Sequence, residues 1–206
     1  RHVPARASAG KPVYRLMLKD TLDIAGEFFR WEVATAACGA VMGINPFDEP
    51  NVTESKDNTT RLLKHFEAEG RLPEEASDGA EAVPRLLEQA RPGDYLALLA
   101  FLQARPETVA RLRAIRAHLR DVTRLATTLG FGPRYLHSTG QLHKGGPNNG
   151  LFLLLTADDL VDLPIPGRSY TFSVLNQAQA LGDLEALKRR GRRVLRLHLG
   201  RDTEAG

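Results

Sequence analysis

Apolar residues along this chain follow two periods that alternate with one another. Blocks in which they recur every three or four positions read as helices, and short continuously apolar blocks read as strands. "VYRLML", residues 13–18, lies between the turn-forming "GKP" and cap signals at Asp20 and Thr21, and predicts a short strand. Leu22, Ala25, Phe29, Val33, Ala36 and Ala40 then keep helical spacing, and their alanine- and glycine-rich tail predicts a close-packed neighbour. Gly43 and Pro46 end that helix. A second helix is expected from Asn51, capped by Asn51 with Glu54 three residues on, to Glu69, where Gly70 stops it.

Beyond the polar connector "RLPEEASDGAE" the pattern gives a short helix over 82–90 and then "PGDYLALLAFL", a turn followed by a strand apolar on both faces. "PETVARLRAIRAHLRDV" is an amphipathic helix with Val109, Leu112, Ile115 and Leu119 on one face. "RLATTLG" and "GLFLLLT" read as strands, "TFSVLNQAQALGDLEALKRRG" as a helix and "RVLRLHL" as a closing strand. Strands that alternate with helices, several of them apolar throughout, predict an α/β fold: a three-layer αβα sandwich around a mainly parallel sheet. A boundary is expected at the polar connector, with segments 1–78 and 79–206.

Composition narrows the picture. With 206 residues, 42% hydrophobic and 26% charged, the chain is long enough for a real core and has no low-complexity tract. Cys38 is the single cysteine, so no internal disulfide forms, which suits a reducing compartment, and its apolar setting predicts a small buried filler. The formal charge is only +3, with the basic excess in "KRRGRRVLR", residues 188–196. That cluster reads as a solvated helix end, where Lys and Arg favour the C-terminus, and not as a nucleic-acid surface. No apolar run approaches the roughly 18 residues of a membrane span, and no signal peptide opens the chain, so a soluble cytoplasmic protein is expected. The first residue is arginine and residues 1–10 carry no period, so a piece of a longer polypeptide is expected.

Two stretches carry candidate chemistry. In "GINPFDEPNVTESK", residues 43–56, helical phase places Val52, Lys56, Thr59, Leu63 and Phe66 on or close to one face. A lysine there snorkels, pairs with an acid or faces a ligand cleft, and the residues alone leave these readings open. The second stretch, "LGFGPRYLHSTGQLHKGGPNNG", residues 129–150, packs His137, Ser138, Thr139, Gln141, His143, Lys144 and six glycines between two strands. It reads either as a backbone-amide phosphate site or as a tight turn with exposed polar residues. Its spacing is neither the Walker nor the Rossmann one, and histidines six apart without an acid or cysteine make no metal site.

The spacing Gly39, Val41, Met42, Phe47, Asp48, Val52, Lys56 resembles, without a gap, the C-terminal signature of glucose-6-phosphate isomerases. Glu49, Asn51 and Thr53 stand where that signature usually has glutamine, glycine and glutamate. "GFGPRYLHSTGQLHKGGPNNG" and "YTFSVLNQAQALGDLEALKRRGRRVLRLHLG" resemble the end of bifunctional transaldolase/phosphoglucose isomerase fusions, and the two likenesses cover nearly the whole chain. The resemblance implies SIS (sugar isomerase) domains, with residues 1–78 the end of one such domain and 79–206 an α/β portion packing on it. It implies that Lys56 is an active-site residue assisting sugar ring opening near O5 and C1, and that Glu49 occupies a substrate-contacting position. By residue type, His137 is the second ring-opening or substrate-contacting candidate, with Ser138, Thr139, Gln141 and Lys144 for sugar or phosphate contacts. No metal or organic cofactor is needed. The implied partners are a sugar phosphate, an upstream isomerase domain with or without a transaldolase domain, and a second subunit. The family's acid–base glutamate and main Ser/Thr phosphate loop lie upstream of the signature, and only 42 residues precede Gly43, so half a cleft is expected.

Overall fold

A computed structural model describes residues 13–201, in two units divided between Asp48 and Glu49. The aperiodic opening, residues 1–10, lies outside the described residues.

The first unit is built on helix α1, Asp23–Met42. Its start is fixed as the sequence predicts: Asp20 Oδ1 accepts from the Leu22 and Asp23 backbone N–H groups at 2.7 and 3.2 Å. Its end is fixed by Gly43 at φ 68°, whose left-handed turn lets Gly43 N and Ile44 N bond back to Ala40 O and Gly39 O. Three expectations change. Residues 13–18 form no strand, because no other strand pairs with them among the described residues. Within this unit, among the described residues, no element packs on the alanine face of α1; of the helix's described residues Gly39 alone is buried, under Pro46, while Phe28, Phe29, Trp31, Val41 and Met42 are exposed. Cys38 is exposed and not a buried filler, since it sits beside Gly39 on that uncovered helix.

The second unit begins with α2, Pro50–Glu69, with Glu49 at the N-cap and Pro50 at the first helical position, where a missing N–H costs nothing. Asn51 is inside the helix, so the expected Asn51 capping box does not form. Gly70, at φ 71°, stops α2 as the sequence predicts. There follow α3 (Ala82–Leu87), β1 (Tyr95–Phe101), α4 (Pro106–Thr123) and β2 (Ala126–Phe131). A 3-10 turn (Arg134–His137), α5 (Gly140–Gly145), β3 (Gly150–Thr156), α6 (Phe172–Arg189) and β4 (Arg193–His198) complete the unit.

The four strands lie in the order β2-β1-β3-β4 and every pairing is parallel, with Leu98 level with Leu129 on one side and Leu153 on the other. β1 and β3 are central, which explains their unbroken apolar sequence. One face of the sheet, with Leu96, Leu98, Leu151 and Leu153, is covered by Ala82 and Leu86 of α3 and Leu112 of α4. The other face, with Ala97, Leu99, Phe152 and Leu154, is covered by Ala180, Leu184 and Leu187 of α6 together with Tyr135 and Leu136. This is the expected three-layer αβα sandwich. α2 packs along α6 outside it, so the chain divides before α2 and not at residue 78.

The connector after α2 runs beside edge strand β4, where Asp78 N–H reaches Arg196 O at 2.8 Å and Ser77 Oγ accepts from His198 N at 2.8 Å, covering an edge that would otherwise be open. The basic cluster is engaged within the chain and not merely solvated. Lys188 pairs with Glu75 at 2.6 Å, Arg189 with Glu185 at 2.5 Å, Arg190 with Glu54 and Arg193 with Asp94 at 2.7 Å. No helix among the described residues is long and apolar enough to cross a membrane.

Candidate functional site

The inward stripe of α2 mixes polar and apolar residues. Asn51, Val52, Ser55, Asn58 and Leu62 are its buried residues, a phase one position earlier than the apolar template selects. Lys56 is consequently exposed and makes no ion pair among the described residues, so the inward face expected for it is corrected: the lysine projects to solvent from the flank of α2, about 100° round the helix from Ser55. Glu49, at the N-cap of the same helix, is exposed as well.

The second stretch divides into two kinds of residue. His137 and Ser138 are exposed and Thr139 is half-buried; the Ser138 hydroxyl is occupied by the Tyr135 carbonyl at 3.1 Å. Gln141 and Lys144 face the other way. Gln141 Oε1 accepts the Asn51 backbone N–H at 3.1 Å, which satisfies one of the free amides of the first turn of α2. The two side-chain amides also meet, at 2.6 Å. Lys144 is fully buried, its ammonium 2.5 Å from Asp183 Oδ1 on α6, with side-chain exposures of 0% and 1%. The structure therefore brings Gln141 and Lys144 together with α2, and leaves His137, Ser138 and Thr139 apart from them.

Around Lys144 lies an interior polar cluster. The Tyr135 hydroxyl donates to Asp183 Oδ2, and the Ser55 hydroxyl donates to Asp183 Oδ1 at 3.3 Å. One carboxylate thus faces an ammonium and two hydroxyls, while the ammonium itself completes no aligned hydrogen bond among the described residues. Burial, reinforced by the Asp183 charge, holds the Tyr135 phenol well above its ordinary range, so it stays a donor. His143, beside Lys144, shares a 2.9 Å hydrogen bond between Nδ1 and the Tyr95 hydroxyl, and its Nε2 has no partner among the described residues. Burial pushes the imidazole down to about 4, with Lys144 and Arg192 adding to the effect and Asp183 opposing it, so at neutral pH the ring is uncharged.

A shallow concavity lies at the carboxyl ends of β1 and β3. The chain leaves β1 toward β2 and leaves β3 toward β4, so the two connections diverge there, the arrangement at which open α/β sheets bind ligands. Gln103, Arg105 and Thr108 line it from one side and Asp158, Asp159 and Arg201 from the other. No group of three or more His, Cys, Asp or Glu suited to a metal ion occurs among the described residues.

No protein-family model matches the chain, and no curated protein matches it. Among solved structures it is similar to a hypothetical protein from Thermus thermophilus, with 22% identity and a TM-score of 0.49, over 69% of this chain and 39% of that one. The chain thus spans well under half the length of that protein, and the likeness has no bearing on the site.

Ser55, Tyr135 and Asp183 were not singled out by the sequence reading, and His143 entered it only as one of two histidines six apart. One signal for Asp183 was present: it stands between Ala180 and Leu187 at helical spacing, a lone acid on the inward stripe of α6. An acid in that position requires a donor, and Lys144, in a glycine-rich turn, was a cation without an assigned partner.

Proposed function

We propose that this chain is the C-terminal portion of a glucose-6-phosphate isomerase of the transaldolase-fusion type, acting in the cytoplasm on glucose 6-phosphate and fructose 6-phosphate when joined to the rest of its cleft. The observation that carries this reading is Lys56, which completes the gapless signature from Gly39 and stands exposed on the flank of a helix whose neighbouring stripe is buried. A lysine in that situation is available to a substrate. As the C1–O5 bond of the pyranose breaks, its ammonium donates a proton to O5 while the C1 hydroxyl gives its proton to solvent as the carbonyl forms, and closure reverses both transfers; left charged, it stabilises the enediolate instead. The proton transfer between C1 and C2 belongs, by the resemblance, to a glutamate upstream of the signature, and a second subunit and an SIS-type body complete the cleft.

A coupled isomerase assay tests this reading. In the full-length polypeptide Lys56→Ala is expected to lower kcat by about 100-fold or more, the range for removal of a positioned acid–base group. The isolated chain is expected to show no turnover. Full activity after Lys56→Ala would sink the assignment.

The concavity at β1 and β3 favours a second reading, a non-catalytic module that binds a sugar phosphate, with Arg105 and Arg201 toward the phosphate and Gln103 and Thr108 toward hydroxyls. Thermal shift with fructose 6-phosphate on wild type, Lys56→Ala and Arg105→Ala separates the two, since stabilisation lost only with Arg105→Ala supports the module.

A further inference from the structure

We propose that the Asp183 carboxylate, with Lys144, Tyr135 and Ser55 gathered on it, is a positioning device that fixes the rotation of α2 and so holds Lys56 outward. This rests on the reading of Lys56 as the substrate-facing lysine. Four separate elements meet at that carboxylate: α6 supplies Asp183, α5 supplies Lys144, the 3-10 turn supplies Tyr135 and α2 supplies Ser55. A buried ion pair is a poor source of stability, because desolvation offsets attraction and apolar side chains of the same shape do as well or better. What the pair supplies is direction, since this rotation of α2 sets the Ser55 hydroxyl against Asp183.

The contact between α2 and α6 needs such a device. The two helices approach so closely at Gly182 that a Cβ there would lie 2.9 Å from Thr59 Oγ1 and 3.0 Å from Thr59 N. Ser55, Thr59 and Gly182 offer no large side chains to interlock as ridges and grooves, so at this crossing the angle of α2 rests on more than the burial of Val52 and Leu62. Directional bonds specify it: Ser55 to Asp183, and Asn58 Nδ2 to Gly182 O at 3.2 Å. α5 adds a second hold, because Gln141 stands three residues before Lys144 on the same side and grips the backbone of Asn51.

The geometric consequence follows from helix pitch. Successive residues point about 100° apart, and Lys56 comes directly after Ser55. Turning α2 by one position carries Lys56 toward the place of Ser55, against the ammonium of Lys144. The correct rotation, held by Asp183, keeps it in solvent. Asp183, Lys144, Tyr135 and Ser55 act through α2 and touch no substrate.

The test uses the full-length polypeptide and the double variant Lys144→Met/Asp183→Leu, which removes both charges and leaves neither orphaned. It is expected to fold, with hydrogen exchange at α2 amides rising about 10-fold or more while β1 and β3 keep their protection. Isomerase kcat is expected to fall about 10-fold with KM within about 2-fold, and Lys56→Ala to cost at least about 10-fold less in this background than in wild type. That non-additivity is the sign of positioning, which a merely structural role would not produce. Unchanged α2 exchange in the folded double variant overturns the proposal, as does an equal Lys56→Ala penalty in both backgrounds. If Lys56→Ala is silent in wild type, the reading of Lys56 fails while α2 exchange still decides on Asp183. Should the double variant not fold, Ser55→Ala removes only the hydroxyl on α2 and is judged by the same exchange and additivity criteria.

Discussion

His143 is 2% exposed, its ring 5.7 Å from Tyr95 and 5.2 Å edge-on from Phe152. Its pKa of about 4 lies below the ordinary 6.5, so as pH falls the unfolded chain takes up the proton first. The stabilisation is fully present above pH 6.5 and is lost as pH drops toward 4, to a total of roughly 3 kcal/mol. Urea unfolding across that window is expected to show the decline, and His143→Phe to flatten it; equal slopes in the two proteins would refute the assignment. Lys56 and Asp183 give a contrasting pair. Lys56→Ala is expected to change stability by less than about 0.5 kcal/mol, as for an exposed unpaired side chain. Asp183→Asn strands the buried ammonium of Lys144 and is expected to cost about 3–5 kcal/mol by the same measurement.

At the scale of elements, glycines on two helices separate propensity from packing. Gly182→Ala gains helix propensity of about 1 kcal/mol but drives a methyl into the backbone of Thr59 at 3.0 Å, so a net loss of about 1–3 kcal/mol is expected in thermal or urea melts. Gly26→Ala on α1 meets nothing within 4 Å and is expected to raise helicity by circular dichroism at no packing cost. The same contrast explains what was legible in the sequence. β1 and β3 were readable because both of their faces are apolar and nothing competes with that signal. α2 was readable as a helix but not in phase, because its buried stripe includes Asn51, Ser55 and Asn58, and an apolar template seizes on Leu63 and Phe66 instead. Residues 13–18 misled because a short apolar run becomes a strand only when another strand pairs with it, and that partner is not written in the run itself. Gln141 and Lys144 were readable as important but not in role, since their partners on α2 and α6 are 90 and 39 positions away.

For the whole molecule, the division before Glu49 sets an expectation about folding units. A fragment of residues 49–206 contains the sheet, both cores and the polar cluster, and is expected to unfold in one cooperative transition and to remain monomeric at micromolar concentration by light scattering. The full chain, which shows Phe28, Phe29, Trp31 and Met42 to solvent, is expected to associate more readily. A fragment without a cooperative transition would show that α1 belongs to the folding unit.

The hydrogen bond from Asn58 to Gly182 spans 124 positions. At a translation rate of roughly 5–20 residues per second, α2 leaves the ribosome about 6–25 s before the helix that orients it. A nascent chain arrested before Phe172 therefore displays α2 as a free amphipathic segment, with Val52 and Leu62 open to chaperones and proteases. Until α6 is made α2 lacks the partner that orients it, and a premature stop in α6 removes the bearing of a side chain encoded more than a hundred codons earlier.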